Sequence, residues 1–530
     1  MSAIRFYLLF CFALQGMLMG GEGDEMSQDR QQKIQVLKKG ATVYIRSYFS
    51  TGQDVLIKTD KGRNCQINFT DTKLVSAGKP MESVIDGKDN MIHQCGDDST
   101  PWNLNGTYIG ANHGCSDGQE LTIRNHGLSA VDIGAELTDD TGNKCYVVKI
   151  ADPNRIWVLP ENKSKGEIWN FNPKVKGDSF KTGTGGRALK ADKIAMAQIV
   201  PSCRIKQQKY LVNGGKPLEE GKVMSCDFLE IEEEYDIISP SSLLVMIQKN
   251  PGKEPNFTDD RLDAVISNRI VYRFLPMGAC TVEHKSRINQ PINLGYMGFV
   301  QTARLNKGGY TFHGYYIPKT LMFETKGSKF DFKSIQDYSV ELPGPLNFNS
   351  KEQNLQYENN LPDRFIQFLA EKENEKAVRK VGYVLGYSLI NGITRPEERS
   401  RNTANALMIY TSYKTYPSAI NSKMGEIKAG TEFHCLAYRQ YFDPSAYENA
   451  TSVYWHREGN AYVLYIDYHK SVGKDVIKLP DYLSGKKIAI IEKSPSLKLF
   501  TDQTVPPEGI VLSVSDQYGY AILKLEEKID

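Results

Sequence analysis

Four short segments concentrate the side chains able to do chemistry. The first, residues 105–114, sets Asn112 and His113 among glycines, which carry no Cβ and let a ligand approach the backbone closely. The second, residues 310–319, holds His313, Tyr315, Tyr316 and Lys319. The third is Tyr438-Arg439-Gln440-Tyr441, and the fourth is Tyr454-Trp455-His456-Arg457-Glu458. Rings beside cations and amides are the combination expected where a sugar face stacks and a carboxylate or sulfate meets a charge. The plainer reading stands beside it: a glycine-flanked His113 can be a turn residue, and tyrosines alternating along strands can be ordinary sheet packing.

Removal of the proton alpha to a uronate carboxylate, followed by loss of the 4-oxygen, needs a base, an acid for the leaving oxygen and stabilisation of an enolate-like charge. His113 or His313 would be the base and Tyr316 the acid. Asn112 and Arg439 would hold the carboxylate, Trp455 would stack on a sugar, and Lys319, His456 and Arg457 would complete the binding surface. Glycoside hydrolysis by two carboxylates competes with this reading. Asp117, Glu120, Asp132, Glu136 and Glu458 are candidates, but no spacing selects a pair. A glycan-binding protein without catalysis is the third class. No His-Glu-x-x-His stretch occurs, so no metal ligands are assigned. Calcium is a compatible cofactor, but Asp97-Asp98 and Asp139-Asp140 do not complete a ligand pattern.

These segments must be positioned by strands. The chain has 530 residues, and its 29 Tyr and 21 Phe beside 44 Gly and 23 Pro favour strands and turns over helix bundles. Period-two alternation recurs in residues 41–49, 54–59, 119–123, 144–150 and 155–159, with turn signals such as Asp152-Pro153-Asn154 between. Longer strands are expected over residues 241–248, 269–275, 280–284 and 296–305, with a Pro276-Met277-Gly278 turn. One helical pattern is read over residues 363–378, ending before Gly382. The predicted fold class is all-β and multidomain, an antiparallel, supersandwich-like β-sandwich with few helices. The expected divisions are a signal peptide over 1–21, a β-rich domain over 22–232, a large antiparallel sandwich over 233–480 and a small β unit over 481–530.

Arg5 followed by the apolar run of residues 6–19 and then Gly20-Gly21 has the order of a secretory signal, so a secreted or periplasmic protein is expected, with no transmembrane segment in the mature chain. Eight cysteines follow the leader without a Cys-x-x-Cys pair, which speaks against a thiolate zinc site and leaves buried thiols and a few disulfides both open. Lys and Arg total 65 against 63 Asp and Glu, a net charge of +2. That balance excludes a dedicated nucleic-acid binder; the expected partner is a polysaccharide or oligosaccharide, acidic in character.

The leader, the β-rich first half, the stretch of residues 270–305 and the Tyr-rich segments to about residue 525 resemble secreted bacterial carbohydrate-active enzymes, in particular the sheet-on-sheet module of several polysaccharide lyase families. The resemblance implies a sandwich and a glycan substrate. It departs from the multidomain lyases in lacking their helical toroid, because residues 33–230 read as strands.

Overall fold

The computed structural model describes residues 31–50, 52–61, 67–79, 81–89, 92–96, 108–109, 115–138, 144–160, 189, 191–201, 203–238, 246, 249–250, 252–253, 261–299, 311–317, 321–326, 329–330, 353–356, 364–373, 376–391, 406–410, 414–421, 426–468, 470–501, 503–516 and 519–527. The described chain is nearly all strand, arranged as several antiparallel sheets in a multidomain protein.

Alternation in sequence becomes alternation in burial. In the strand Leu229–Ile238, Leu229, Ile231, Tyr235 and Ile237 are buried, while Glu230, Glu232 and Glu234 between them are half-exposed. Glu233 falls on the apolar side and is buried, accepting hydrogen bonds from Gln208 Nε2 at 2.6 Å and from the Ile67 amide at 3.2 Å. A carboxylate removed from water needs such donors.

This strand belongs to an eleven-stranded sheet. Its centre runs Cys203–Val212, Leu229–Ile238, Ala264–Leu275, Ala279–Ile288, Glu432–Phe442, Lys376–Asn391 and Arg364–Glu373, in that spatial order. A six-stranded sheet built from residues 34–89 and closed by Val223–Cys226 covers part of its inner face. Phe69 meets Phe274 with ring centroids 5.6 Å apart, and Thr72 Oγ1 lies 3.4 Å from the Tyr441 hydroxyl. Within the six-stranded sheet, Arg46 and Asp54 form a buried ion pair, Nε to Oδ2 2.6 Å.

The last body pairs a four-stranded sheet (Ser452–Glu458, Ala461–Tyr468, Gly519–Glu526, Lys487–Lys493) with a three-stranded one (Val472–Ile477, Ile510–Val514, Leu497–Leu499). Trp455, Leu464, Ile466, Leu483, Leu512 and Leu523 fill the space between them. It abuts the large sheet through Phe442, Tyr454 and Tyr465, whose rings stack at 5.6 and 4.8 Å. Two further sheets, of five and seven strands, complete the described architecture.

Several expectations meet a different arrangement. Residues 363–378 do not make a helix: Arg364–Glu373 and Lys376–Asn391 form an antiparallel hairpin, with Phe368 opposite Gly382. Conversely, Met246 and Lys249 are helical, and the Asn250 amide donates to the Met246 carbonyl at 3.1 Å, where a strand was expected. Cys145, Cys226, Cys280 and Cys435 are buried free thiols. Burial pushes the Cys226 and Cys280 thiols up to about 12, so neither is a reactive thiolate. Among the described residues no helix is long and apolar enough to cross a membrane, and no group of three or more metal-type side chains converges.

Candidate functional site

On the outer face of the large sheet, register sets side chains in rows across three strands. Arg273, Thr281 and Tyr438 are direct cross-strand neighbours, and Val271, Glu283 and Leu436 form the next row. The third row is Arg269, Lys285 and His434. Because side chains alternate faces, this places Tyr438 on the outer face and its neighbour Arg439 on the inner one.

The last body raises a wall over these rows. Its first hairpin pairs Tyr454 with Tyr465 and His456 with Val463, and the His456 ring lies 5.6 Å from Tyr465 and 6.1 Å from Tyr438. Between wall and floor runs a groove of about 490 Å3 bounded by Arg273, Glu283, Leu436, Tyr438, His456 and Tyr465. Leu436 is 43% exposed on its floor. Such a volume falls in the range of small-ligand sites.

The charges along this groove have identifiable partners. Arg273 donates to Glu230 through Nη2 at 2.6 Å and sits over the Phe228 ring. Glu283 accepts from Lys285 at 2.7 Å and from His434 at 2.9 Å; the Lys285 contact holds its carboxyl below the usual range, against desolvation. Glu458 is likewise held low, chiefly by its hydrogen bond with His456 at 2.9 Å. Arg457 is exposed; its Nε donates to the Gly459 carbonyl at 3.0 Å, and it makes no ion pair among the described residues.

His456 offers less to proton transfer than its position suggests. Nε2 is engaged with Glu458, and Nδ1 is sealed from solvent without a hydrogen-bond partner among the described residues. While the Glu458 bond holds, neither nitrogen is open to a substrate proton.

Of the sequence candidates, the structure brings His456 and Arg457 together at the groove, with Glu458 beside them. Arg439 is 1% exposed on the inner face, its guanidinium 4.3 Å above the Phe69 ring and 5.6 Å from Tyr441. Trp455 is 5% exposed in the core of the last body, its indole N–H donating to the Tyr482 hydroxyl at 2.8 Å. His313 and Tyr316 lie on the strand Thr311–Ile317, opposite Phe368 and Phe365, but their side chains lie outside the described residues. So do Asn112, His113 and Lys319, together with the acidic pairs at 97–98 and 139–140.

The other carboxylates serve local structure. Glu120 accepts from the Trp157 indole, Asp132 from the Ser129 amide, and Glu136 from the Tyr146 hydroxyl. Asp117 is on the strand Cys115–Thr122, with its side chain outside the described residues. Arg273, Glu283, Leu436 and Tyr465 escaped the sequence reading as site residues. Alternation along residues 269–275 puts Arg269 and Arg273 on one face, but nothing in the sequence tells which face the last body would leave as a groove.

No family model matches the sequence, and no curated protein matches it. Among solved structures, the galactose 1-epimerase from Lactobacillus acidophilus NCFM aligns over 78% of this chain and 98% of its own, at 9% identity and a TM-score of 0.28. A protein from Synechocystis sp. PCC 6803 aligns over 58% of this chain and 95% of its own, at 11% identity and a TM-score of 0.19. At these TM-scores the overlap carries no argument about the function of this chain.

Proposed function

We propose that the protein is an exported glycan-binding protein that takes a uronic-acid-containing oligosaccharide along the outer-face groove. The observation that supports this reading is Arg457, an exposed guanidinium without an acidic partner among the described residues, set beside the faces of His456, Tyr465 and Tyr438. A guanidinium pairs with a planar carboxylate through two parallel hydrogen bonds, and the rings supply apolar faces for the sugar. The charged, apolar and small-residue order at the N-terminus supports delivery to the periplasm or the exterior.

Titration calorimetry with oligouronates and with neutral oligosaccharides of matched length tests the reading. Acidic chains are expected to bind, and Arg457→Gln to weaken them by about tenfold, equivalent to about 1.4 kcal/mol. Preference for neutral chains, or an unchanged affinity in the variant, would overturn it.

Cleavage by β-elimination is the second reading. The exposed guanidinium of Arg457 lines the groove and is the carboxylate-neutralising type that elimination needs, whereas the Tyr438 hydroxyl is sealed from solvent. Ultraviolet absorbance of an unsaturated product, followed in the same mixtures, separates cleavage from binding. Reducing ends without that absorbance would indicate hydrolysis instead.

A further inference from the structure

A second cavity, of about 520 Å3, shares the strand end at residues 456–458 with the groove but is built largely from other side chains. Its lining includes the rings of Phe228, Tyr462 and Tyr482, the last two with centroids 5.8 Å apart and planes tilted by 54°. Pro276 and Met277 add apolar surface. None of these five residues borders the groove.

Charge gives this cavity no preferred sign. Its lining carries two guanidinium groups, Arg273 and Arg457, and two carboxylates, Asp227 and Glu458. Arg273 is bound to Glu230 at 2.6 Å, and Glu458 to His456 at 2.9 Å. Arg457 and Asp227, one of each sign, are both exposed to solvent.

One donor among the rings is left over. The Tyr482 hydroxyl accepts from the Trp455 indole N–H at 2.8 Å. An indole only donates, so this bond occupies the Tyr482 oxygen and leaves the phenol's own proton to be placed. No acceptor for that proton occurs among the described residues, although Tyr482 is only 9% exposed. Burial raises its pKa above the usual tyrosine range, against the opposing Trp455 bond, so the group stays a phenol and a donor. A buried tyrosine hydroxyl ordinarily finds a partner.

We infer that the second cavity binds an uncharged, flat, ring-bearing molecule with a hydrogen-bond acceptor such as a ketone oxygen. Phe228, Tyr462 and Met277 cover the ligand's apolar surface, and Tyr482 donates to the acceptor. Apolar walls with a few placed polar groups are the usual make-up of a small-molecule site. The inference is independent of the glycan reading, because the residues that carry it lie outside the groove.

Fluorescence titration of the full-length protein tests this with two probes: an uncharged dialkylaminonaphthyl ketone, whose emission responds to polarity and hydrogen bonding at its carbonyl, and the same dialkylaminonaphthalene without the ketone. The ketone is expected to bind at a stoichiometry of one. Tyr482→Phe should weaken the ketone by about fivefold, shift its bound emission to the blue and leave the second probe unchanged. Phe228→Ala, at a half-exposed position, should weaken both probes by about fivefold. Oligouronate affinity should not change in Tyr482→Phe. Absence of ketone binding, a Tyr482→Phe variant that affects both probes equally or neither, or a Phe228→Ala variant that binds both as the wild type does would each overturn the inference. Loss of oligouronate affinity in Tyr482→Phe would overturn the separation of the two sites.

Discussion

His284 shows how burial assigns a titratable side chain to structure. It is fully buried on the inner face of the large sheet, and its Nε2 lies 2.8 Å from Asn268 Oδ1. Desolvation, aided by His434, pushes its pKa down from 6.5 to about 3. Between those values the unfolded chain binds a proton that the folded chain refuses, so stability falls as pH drops, by about 1.4 kcal/mol per pH unit. The contribution is complete above about pH 6.5 and exhausted below about pH 3. His284→Gln removes this dependence. Denaturant titrations at about pH 6.5 and about pH 5 should show the wild type losing about 2 kcal/mol more than the variant; equal losses would mean that the imidazole is solvated. Arg439 and Trp455 teach the same lesson from the other side. Their types suit a sugar site, but only the sheet docked over Arg439 and the strands packed around Trp455 show that both are spent on the interior.

The turn Pro276-Met277-Gly278 joins two strands of the large sheet and borders the groove through Leu275 and Ala279. Met277 and Gly278 both have φ near +63°, and the Gly278 amide donates to Ser47 Oγ of the facing sheet at 2.8 Å. A Cβ on Gly278 would stand 2.9 Å from Val55 Cγ1 and 3.0 Å from Tyr441 Cδ2. Gly278→Ala should therefore cost about 3 kcal/mol, combining left-handed strain with overpacking, and weaken glycan binding. Gly40→Ala provides the comparison, because Gly40 has φ +59° with nothing within 4 Å of the added carbon; only the strain of about 1–2 kcal/mol applies there. Equal thermal shifts would refute the packing argument. This turn was legible in the sequence because Pro and Gly punctuate two alternating runs. The hairpin at residues 364–391 was not, since its Glu, Lys and Ala content favours a helix locally and its strand partner Glu432–Phe442 is remote in sequence. Gly382, read as a helix end, is a strand position over which the Phe442 ring lies, and a Cβ there would collide with that ring.

At the scale of the whole molecule, the all-β architecture was legible from alternation, whereas the groove was not, because it exists only where the last body meets the large sheet. Charge completes the picture. With 65 basic and 63 acidic side chains the net charge is +2, and much of the outer face is internally paired, as in Arg269 with Glu232 and Lys285 with Glu283. Such a surface casts little long-range field, so on the proposed reading an acidic chain would be drawn in only once it is close to Arg457. The kinetics should carry that signature. Raising salt from about 0.1 M to about 1 M shortens the Debye length from about 10 Å to about 3 Å. Field-steered association slows steeply over this range, but here the association rate of an acidic oligosaccharide should change by less than about threefold. The dissociation rate should rise more, because a carboxylate held by the exposed Arg457 guanidinium would be weakened by screening. Stopped-flow measurement of both rates across that series decides the matter. A fall in association rate of more than about tenfold with dissociation unchanged would place recognition in the field of the whole molecule, and not in the exposed guanidinium of Arg457.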